Sequence, residues 1–233
     1  MAVASEVPTN SKFNSVRAIA ISIFLFWALT LQAAAPAAIT FSLDFPNSSP
    51  EHYVISVQSD GHAQYESSGR ITPDSDERDS YQTDFIISDA TRARIFSLAA
   101  QSHYFSGKID SGNKKIAFTG AKKLTYTDSS HNSAANYNFS PVPAIQQLTA
   151  LFQSISGTLE YGRRITYFRR YQKLALDDEL KNMEEQARSG EITELQAVSP
   201  VLQEIYEDNA VINVVRARAH RIMEMGAQPT ATK

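Results

Sequence analysis

Tyr53-Val54-Ile55-Ser56-Val57, then Ser59-Asp60-Gly61, then Ala63-Gln64-Tyr65 is the stretch on which the reading of the fold turns. Two β-prone runs flank an Asp-Gly turn signal, and the side chains select the register. A two-residue loop would set Val57 opposite Gln64 and Ile55 opposite Glu66. A three-residue loop, with Gly61 left-handed, sets Val57 opposite Ala63 and Ile55 opposite Tyr65. Facing residues share one side of a sheet, so only the second register gives a single apolar face. An antiparallel hairpin with the three-residue loop is therefore predicted.

On its amino-terminal side, Ile39, Phe41, Leu43 and Phe45 alternate with Thr40, Ser42 and Asp44, the period of a half-buried strand. Residues 46–50 (PNSSP) break it. On the other side, residues 68–82 are polar, carry Pro73 and read as a mobile loop. Residues 84–87 (DFII) form a short strand. Ser88 then caps a helix that ends near Gln101; Asp89 favours its first turn, and Ile95, Leu98 and Ala99 are its buried stripe. Residues 115–119, 123–127 and 136–139 read as three further strands, with a turn at 128–133. The pattern predicts an α+β fold, a mostly antiparallel sheet with one embedded helix rather than alternating βαβ units.

The period changes after Pro141. Ile145, Leu148, Phe152, Ile155 and Leu159 recur at spacings of three and four, and the stripe resumes at Ile165, Phe168, Leu176, Leu180, Met183 and Ala187. Ser189-Gly190 ends it, with Gly190 suited to a left-handed terminus. Ile192, Leu195 and Val198 mark a short helix, Ser199-Pro200 a restart, and Leu202, Ile205, Ile212, Val215, Ala219 and Ile222 a last helix. Residues 141–226 are thus expected to form a long antiparallel helical hairpin of coiled-coil character, kinked at Gly157, Gly162 and Pro200. The expected organisation is a leader at 1–37, a strand-rich α+β domain at 38–140, the hairpin segment at 141–226 and a disordered tail at 227–233.

The leader reading rests on Lys12 and Arg17, then the uncharged run at 18–31, then Gln32-Ala33-Ala34-Ala35-Pro36-Ala37-Ala38. A positive flank, a short apolar run and a small-residue exit make a signal peptide, with cleavage placed after Ala37. The alternative is an uncleaved amino-terminal anchor, because residues 18–39 are uncharged and about 20 residues suffice to span a bilayer. The expected location is exported, periplasmic or secreted.

The net charge is -3, which does not suit a general nucleic-acid binder. Cysteine is absent, which excludes disulfides, thiol nucleophiles, cysteine zinc sites and a lipobox. Thr119-Gly120-Ala121-Lys122-Lys123 lacks the first glycine and the final hydroxyl of a phosphate loop and reads as a turn. Ser111-Gly112-Asn113-Lys114 fits a serine–lysine pair only literally, since a strand rather than a helix is expected next. Among the histidines, only His52 and His62, flanking one hairpin, could approach each other as a metal pair, and exposed strand ends explain them better. No cofactor and no metal site is expected. Asp177-Asp178 and Glu184-Glu185 read as a solvated helix face.

Residues 161–173 (YGRRITYFRRYQK) interleave cations with aromatics and carry no acid. Arg216, Arg218 and Arg221 gather near the end of the last helix. With Ser189-Gly190 as the tip, Arg163 and Arg216 would share a level at the base of a straight hairpin, each about 39 Å from the tip. An anion-binding patch of Arg163, Arg164, Arg169, Arg170, Arg216, Arg218 and Arg221 is the candidate site, facing an acidic tip of Glu184, Glu185, Glu191 and Glu194. Pairing of these arginines with Glu160, Glu207, Asp208 and Glu224, or with Asp84 on the sheet, is the competing expectation.

The run from Tyr53 to Gly61, Tyr65, and then Phe85-Ile86-Ile87-Ser88 followed by Ile95-Phe96 and Leu98 resembles exported bacterial α+β proteins that carry a domain of unknown function. The resemblance covers about a quarter of the chain and implies an envelope or secreted location, but no activity. The functional expectation is an exported, non-catalytic binding or structural protein of the cell envelope. Its partner would be an anionic envelope component or a protein docking on the helical hairpin, with nucleic acid disfavoured. The alternatives are an exported hydrolase using His52, His62 or His103 with Asp84 or Asp110, and a membrane-anchored partner protein.

Overall fold

A computed structural model describes residues 1–2, 36–71 and 78–227. Residues 3–35 of the expected leader and the expected tail beyond Ala227 lie outside the described residues. The described residues between Pro36 and Ala227 form one compact unit whose hydrophobic core runs without a break from the strands into the last helix.

The strands are β1 (Ala38–Asp44), β2 (His52–Gln58), β3 (His62–Arg70), β4 (Arg78–Ile86), β5 (Ala121–Thr127) and β6 (Asn132–Tyr137). They form a 6-stranded sheet in the order β4-β3-β2-β1-β5-β6, antiparallel at each pairing. β2 and β3 pair with Val57 opposite Ala63 and Ile55 opposite Tyr65, the register chosen by the apolar face. Gly61 in the connecting turn has φ 100, which a side-chain-bearing residue rarely adopts. Ile39, Phe41, Leu43, Tyr53, Ile55, Val57, Tyr65 and Leu124 line the buried face. Thr40, Ser56, Gln64 and Asp84 stand on the other, where Thr40 and Ser56 hydroxyls lie 3.1 Å apart.

Two local expectations are corrected. Within the polar stretch 68–82, residues 68–70 and 78–82 are strand, because β3 runs on to Arg70 and β4 begins at Arg78, and residues 72–77 lie outside the described residues. Arg78, Asp79 and Ser80 of β4 are all exposed, so this end of the edge strand is covered on neither face and needs no apolar alternation, and composition alone suggested a loop. Residues 115–119 do not form a strand. Asn138 takes the place of a ladder: its side chain accepts from Thr119 N at 2.8 Å and donates to the Ala117 carbonyl at 3.0 Å.

α1 (Asp89–Gln101) follows β4, and its cap Ser88 accepts from Thr91 N at 3.3 Å. α2 (Pro143–Tyr171) crosses the buried face diagonally. Thr149 meets Tyr137 of β6, Phe152 stacks on Phe41 of β1, and Ser156 meets Tyr65 of β3. α2 is continuous through Gly157 and Gly162, where kinks were expected. A Cβ at Gly162 would lie 2.6 Å from Val198 Cγ1, and one at Gly157 would lie 3.1 Å from Ile192 Cγ2. The glycines let the next segment approach the helix, which outweighs their helix cost of about 1 kcal/mol each.

α2 ends at Gln172, which has φ -144. After a 3₁₀ turn at Lys173–Ala175 the chain returns as α3 (Leu176–Ser189), and Gly190 closes α3 with φ 77. A second 3₁₀ turn at Leu195–Val198 leads to α4 (Ser199–Glu207), and α5 (Asn213–Ala227) follows. The two arms expected to meet only at Ser189-Gly190 are therefore divided by further reversals after Tyr171 and after Glu207. Ile212, read as part of a buried stripe, sits in the second of these reversals and is exposed. Glu194, between α3 and α4, accepts from the Ser88 amide and hydroxyl, each at 2.7 Å, and so fixes the start of α1.

Candidate functional site

The extra reversals scatter the arginines that a straight hairpin would have gathered. Arg163 lies under the sheet, only 4% exposed, and donates to the carbonyls of Gly69 and Asp79 at 3.2 and 3.1 Å. Arg164 donates to Glu179 at 2.6 Å, and Arg169 pairs with Glu204. Arg218 pairs with Asp177 and with Glu184, and Arg221 donates to both oxygens of Glu184 at 2.8 and 3.1 Å. Arg188 reaches the same carboxylate at 2.5 Å. Arg216 donates to the Tyr206 carbonyl at 2.6 Å, and Arg170 lies against the Tyr171 ring at 5.9 Å. A single anion-binding patch built from all of these side chains is thus corrected: α2 places Arg163 in the interior, and intramolecular carboxylates occupy most of the rest. The partners are mainly Glu160, Glu179, Glu184 and Glu204, of which only Glu160 was named as one from the sequence.

Glu184 also corrects the acidic-tip reading, because it is buried rather than solvated. The Arg221 hydrogen bonds, aided by the neighbouring Arg188 and Arg218 charges, hold its carboxyl below the ordinary 4.5 despite the opposing effect of burial. A value lowered on folding means that the unfolded chain takes up the proton first as pH falls. This contribution to stability is full above 4.5 and is lost as pH drops through the lowered value. Thermal melts between about pH 6 and 3 should show Tm falling below about 4.5. Glu184→Gln should melt lower at pH 6 and show a shallower acid slope.

From the sequence the densest buried polar group was legible only as a pairing of Glu160 with the arginines, without Tyr65 and Ser67. The group lies where α2 crosses β2 and β3. Glu160 Oε1 accepts from Tyr65 at 2.8 Å and from Ser67 at 2.6 Å, and Oε2 accepts from Arg163 at 3.3 Å. Burial, with the Glu160 charge beside it, pushes the Tyr65 hydroxyl well above its ordinary value, so it remains a donor. Tyr65 and Ser67 share the buried side of β3, while Glu160 and Arg163 are one helical turn apart. A Glu and an Arg at i,i+3 on an otherwise apolar stripe was the available signal. It was hidden by the arginine-rich run that begins at the second of them.

Beside this group is a cleft of about 300 Å³ between the 45–50 loop and α2, lined by Tyr53, Gln153, Ser156, Glu160, Tyr161 and Arg164. A different feature marks the far end of the helical layer. Lys173 and Asp208 pair at 2.9 Å and hold the α2–α3 and α4–α5 turns side by side. From these turns Leu174, Tyr171 and Ile212 stand out with exposures of 95, 64 and 62%, joined by Val214 on the first turn of α5. Arg169, Arg170, Lys173, Arg216 and Arg218 are balanced by Asp177, Asp178, Glu204, Glu207 and Asp208, so this end carries no excess positive charge.

The histidines are apart. His52 lies opposite Ser68, whereas His62 begins β3, so about 20 Å of strand separates them at ~3.4 Å per residue. His52 Nδ1 instead lies 2.5 Å from Asp44. His62 and Asp84 border one shallow hollow on the open sheet face, and Asp84 accepts from Gln64 at 3.2 Å. Asp110 accepts from the amides of Gly112 and Asn138 and organises its loop, while His103 sits in a turn with φ 50. Among the described residues there is no cluster of three or more metal-ligating side chains. Lys122, the nearest match to a phosphate-loop lysine, turns back onto the carbonyls of Thr119, Gly120 and Asn138 at 2.9 to 3.2 Å. Ser111 accepts from Asn113 N at 3.2 Å in a turn.

The fold defines the molecule as an α+β protein, a 6-stranded antiparallel sheet with five α-helices among the described residues. Comparison with protein-family models and with curated proteins returned no match to this chain.

Proposed function

We propose that this is an exported, non-catalytic binding protein of the bacterial cell envelope, and that it meets membrane lipid through the apolar end of its helical layer. The observation that carries the reading is the outward exposure of Leu174, Tyr171, Ile212 and Val214 on two adjoining turns. Apolar groups gathered in this way on a water-facing surface mark a contact site. Tyr171 and Tyr206 with Arg170 and Lys173 around them suit the head-group level of a bilayer, where rings and long cations place an apolar body beside a polar tip. Because acids balance the cations there, apolar insertion rather than attraction to anionic lipid drives binding. Cleavage of the expected leader after Ala37 would keep the seven residues of β1, which begins at Ala38, and would remove the Ala37 carbonyl that accepts from Ser59 N at 2.8 Å.

The test is vesicle flotation with the chain from Ala38 onward, which contains the whole compact unit apart from short leader-end residues. Partition into phosphatidylcholine vesicles is expected, with little change on adding anionic lipid or salt. Leu174→Asp should reduce partition about tenfold or more, since burying a leucine is worth about 1.5 kcal/mol at the low end. Recovery in the unbound fraction, or binding confined to anionic vesicles at low salt, would sink the lipid reading. A first residue other than Ala38 in sequencing of the exported protein would sink the assigned cleavage.

A further inference from the structure

We infer that the free edge of β4, together with the pocket that opens beyond Ile86, binds an extended peptide carrying lysine or arginine. The pocket lies at Ala227, the end of α5 away from the apolar turn at Ile212, so the inference stands independently of the lipid reading.

The backbone of β4 defines the shape of the occupant. Ile87 N donates to the Gly61 carbonyl at 3.1 Å, so Ile87, Phe85 and Thr83 turn their backbone groups towards β3. Those of Ile86, Asp84 and Gln82 therefore face away from the sheet, and no backbone group among the described residues meets them. The Asp84 carbonyl has only the Thr83 hydroxyl at 3.5 Å, whereas Ser80 N is already held by the Asp79 carboxylate at 2.8 Å. From Gln82 to Ile86 the pairing with β3 is continuous, with no bulge, proline or lysine to guard the edge. A row of alternating donors and acceptors at strand spacing is matched by another extended chain.

α2 limits the width of that chain. It meets β6, β1 and β3 in turn, passes beneath β4 at Gly162, where a Cβ would lie 4.0 Å from the Tyr81 hydroxyl, and runs on to Tyr171. It thus reaches about 13 Å past the crossing, whereas one added strand needs about 5 Å. A single strand fits above the helix. A second copy laid edge to edge would bring its own helices into the place that this helix occupies.

The pocket supplies the charge. It holds about 910 Å³ between residues 86–90, residues 187–196 and the end of α5, within the range of ligand sites. Ile192, Leu195 and Met225 give it apolar walls, and no lysine, arginine or histidine lines it among the described residues. Asp89 is paired with Arg92 at 3.0 Å. Glu194, only 5% exposed, accepts from neutral donors alone: the Ser88 amide and hydroxyl and the Gln196 amide. The start of α1 offsets about half of its charge. In an added antiparallel strand, the residue opposite Ile87 points to the buried side, as Ile87 does, and the residue opposite Asp84 points to the open side. A lysine or arginine in the first place lays its stem along the apolar walls with its charge towards Glu194, and one in the second place meets Asp84.

The experiment uses the chain from Ala38 onward and a blocked peptide, Gly-Lys-Val-Thr-Lys-Thr-Gly, whose lysines fall opposite Ile87 and Asp84. Binding with Kd of about 0.1 mM is expected. At saturation, amide hydrogen exchange read by NMR should slow about tenfold at Gln82, Asp84 and Ile86, with little change at Thr83 and Phe85, which already face β3. Proline in place of the valine, which removes the N–H opposite Ile86, or glutamate in place of both lysines should weaken binding about tenfold or more. Glu194→Gln should weaken it about tenfold, and Asp84→Asn, on the open face, about threefold. The inference fails if the lysine peptide leaves those three amides unchanged, if the proline or glutamate peptide binds like the parent, or if both protein variants bind it unaltered. Slow exchange at the three amides before any peptide is added would give the edge to a second copy or to another stretch of this chain, and would overturn the inference as well.

Discussion

Glu160→Ala is expected to lower the stability of the fold by about 3–5 kcal/mol, the range for breaking a buried ion pair from one side. The cost lies in what remains. Arg163 would keep only the Gly69 and Asp79 carbonyls, and its Nε already lacks a partner among the described residues. Tyr65 and Ser67 would lose their shared acceptor at the same time. Arg163→Ala should cost less, because Glu160 keeps those two hydroxyl donors. The double variant Glu160→Leu with Arg163→Met should cost less than Glu160→Ala alone, since it leaves no unpaired charge under the sheet. Urea unfolding of the four proteins ranks their stabilities. A double variant less stable than Glu160→Ala would show that the pair adds net stability over an apolar replacement.

Phe152→Ala should have an effect of the same size, about 3–5 kcal/mol, for a different reason. The Phe152 ring lies parallel to Phe41, with 5.2 Å between centroids and 2° between planes, and both rings are fully buried. Phe41 stands on β1, the strand joined to both β2 and β5. Deleting the ring opens a cavity where the sheet and the helices share their core, and neither a β-strand nor a 29-residue helix can collapse into it. At about 2–4 °C per kcal/mol for a protein of this size, a Tm drop on the order of 10 °C is expected by calorimetry. Phe152→Leu, which keeps most of the volume, should cost about 1.5 kcal/mol or less. Equal losses for leucine and alanine would argue against a cavity as the cause.

Strand identity and register were legible where an apolar alternation met a turn signal. Ile55 opposite Tyr65 follows from the need for one dry face, and Ser88 at the head of α1 follows from its hydroxyl and the stripe behind it. Edges were poorly legible: Arg78 to Gln82 pair with β3 although composition reads as loop, because backbone hydrogen bonds at an edge need no apolar side chain. Gln172 was equally opaque. Neither proline nor glycine stands there, yet the helix ends, and the cations that seemed to share one helical arm part company.

The amino-acid order by itself determined the periodicities, since which face of a strand or helix avoids water depends only on local spacing: the β2–β3 register and the apolar stripe of α2 follow from it. Only the tertiary structure decided what each charge meets, because partners such as Arg218 and Glu184 are set by how helices reverse and pack. Coulomb attraction depends on distance in space, not on separation along the chain, so a row of arginines that reads as an open anion site becomes a set of internal ion pairs.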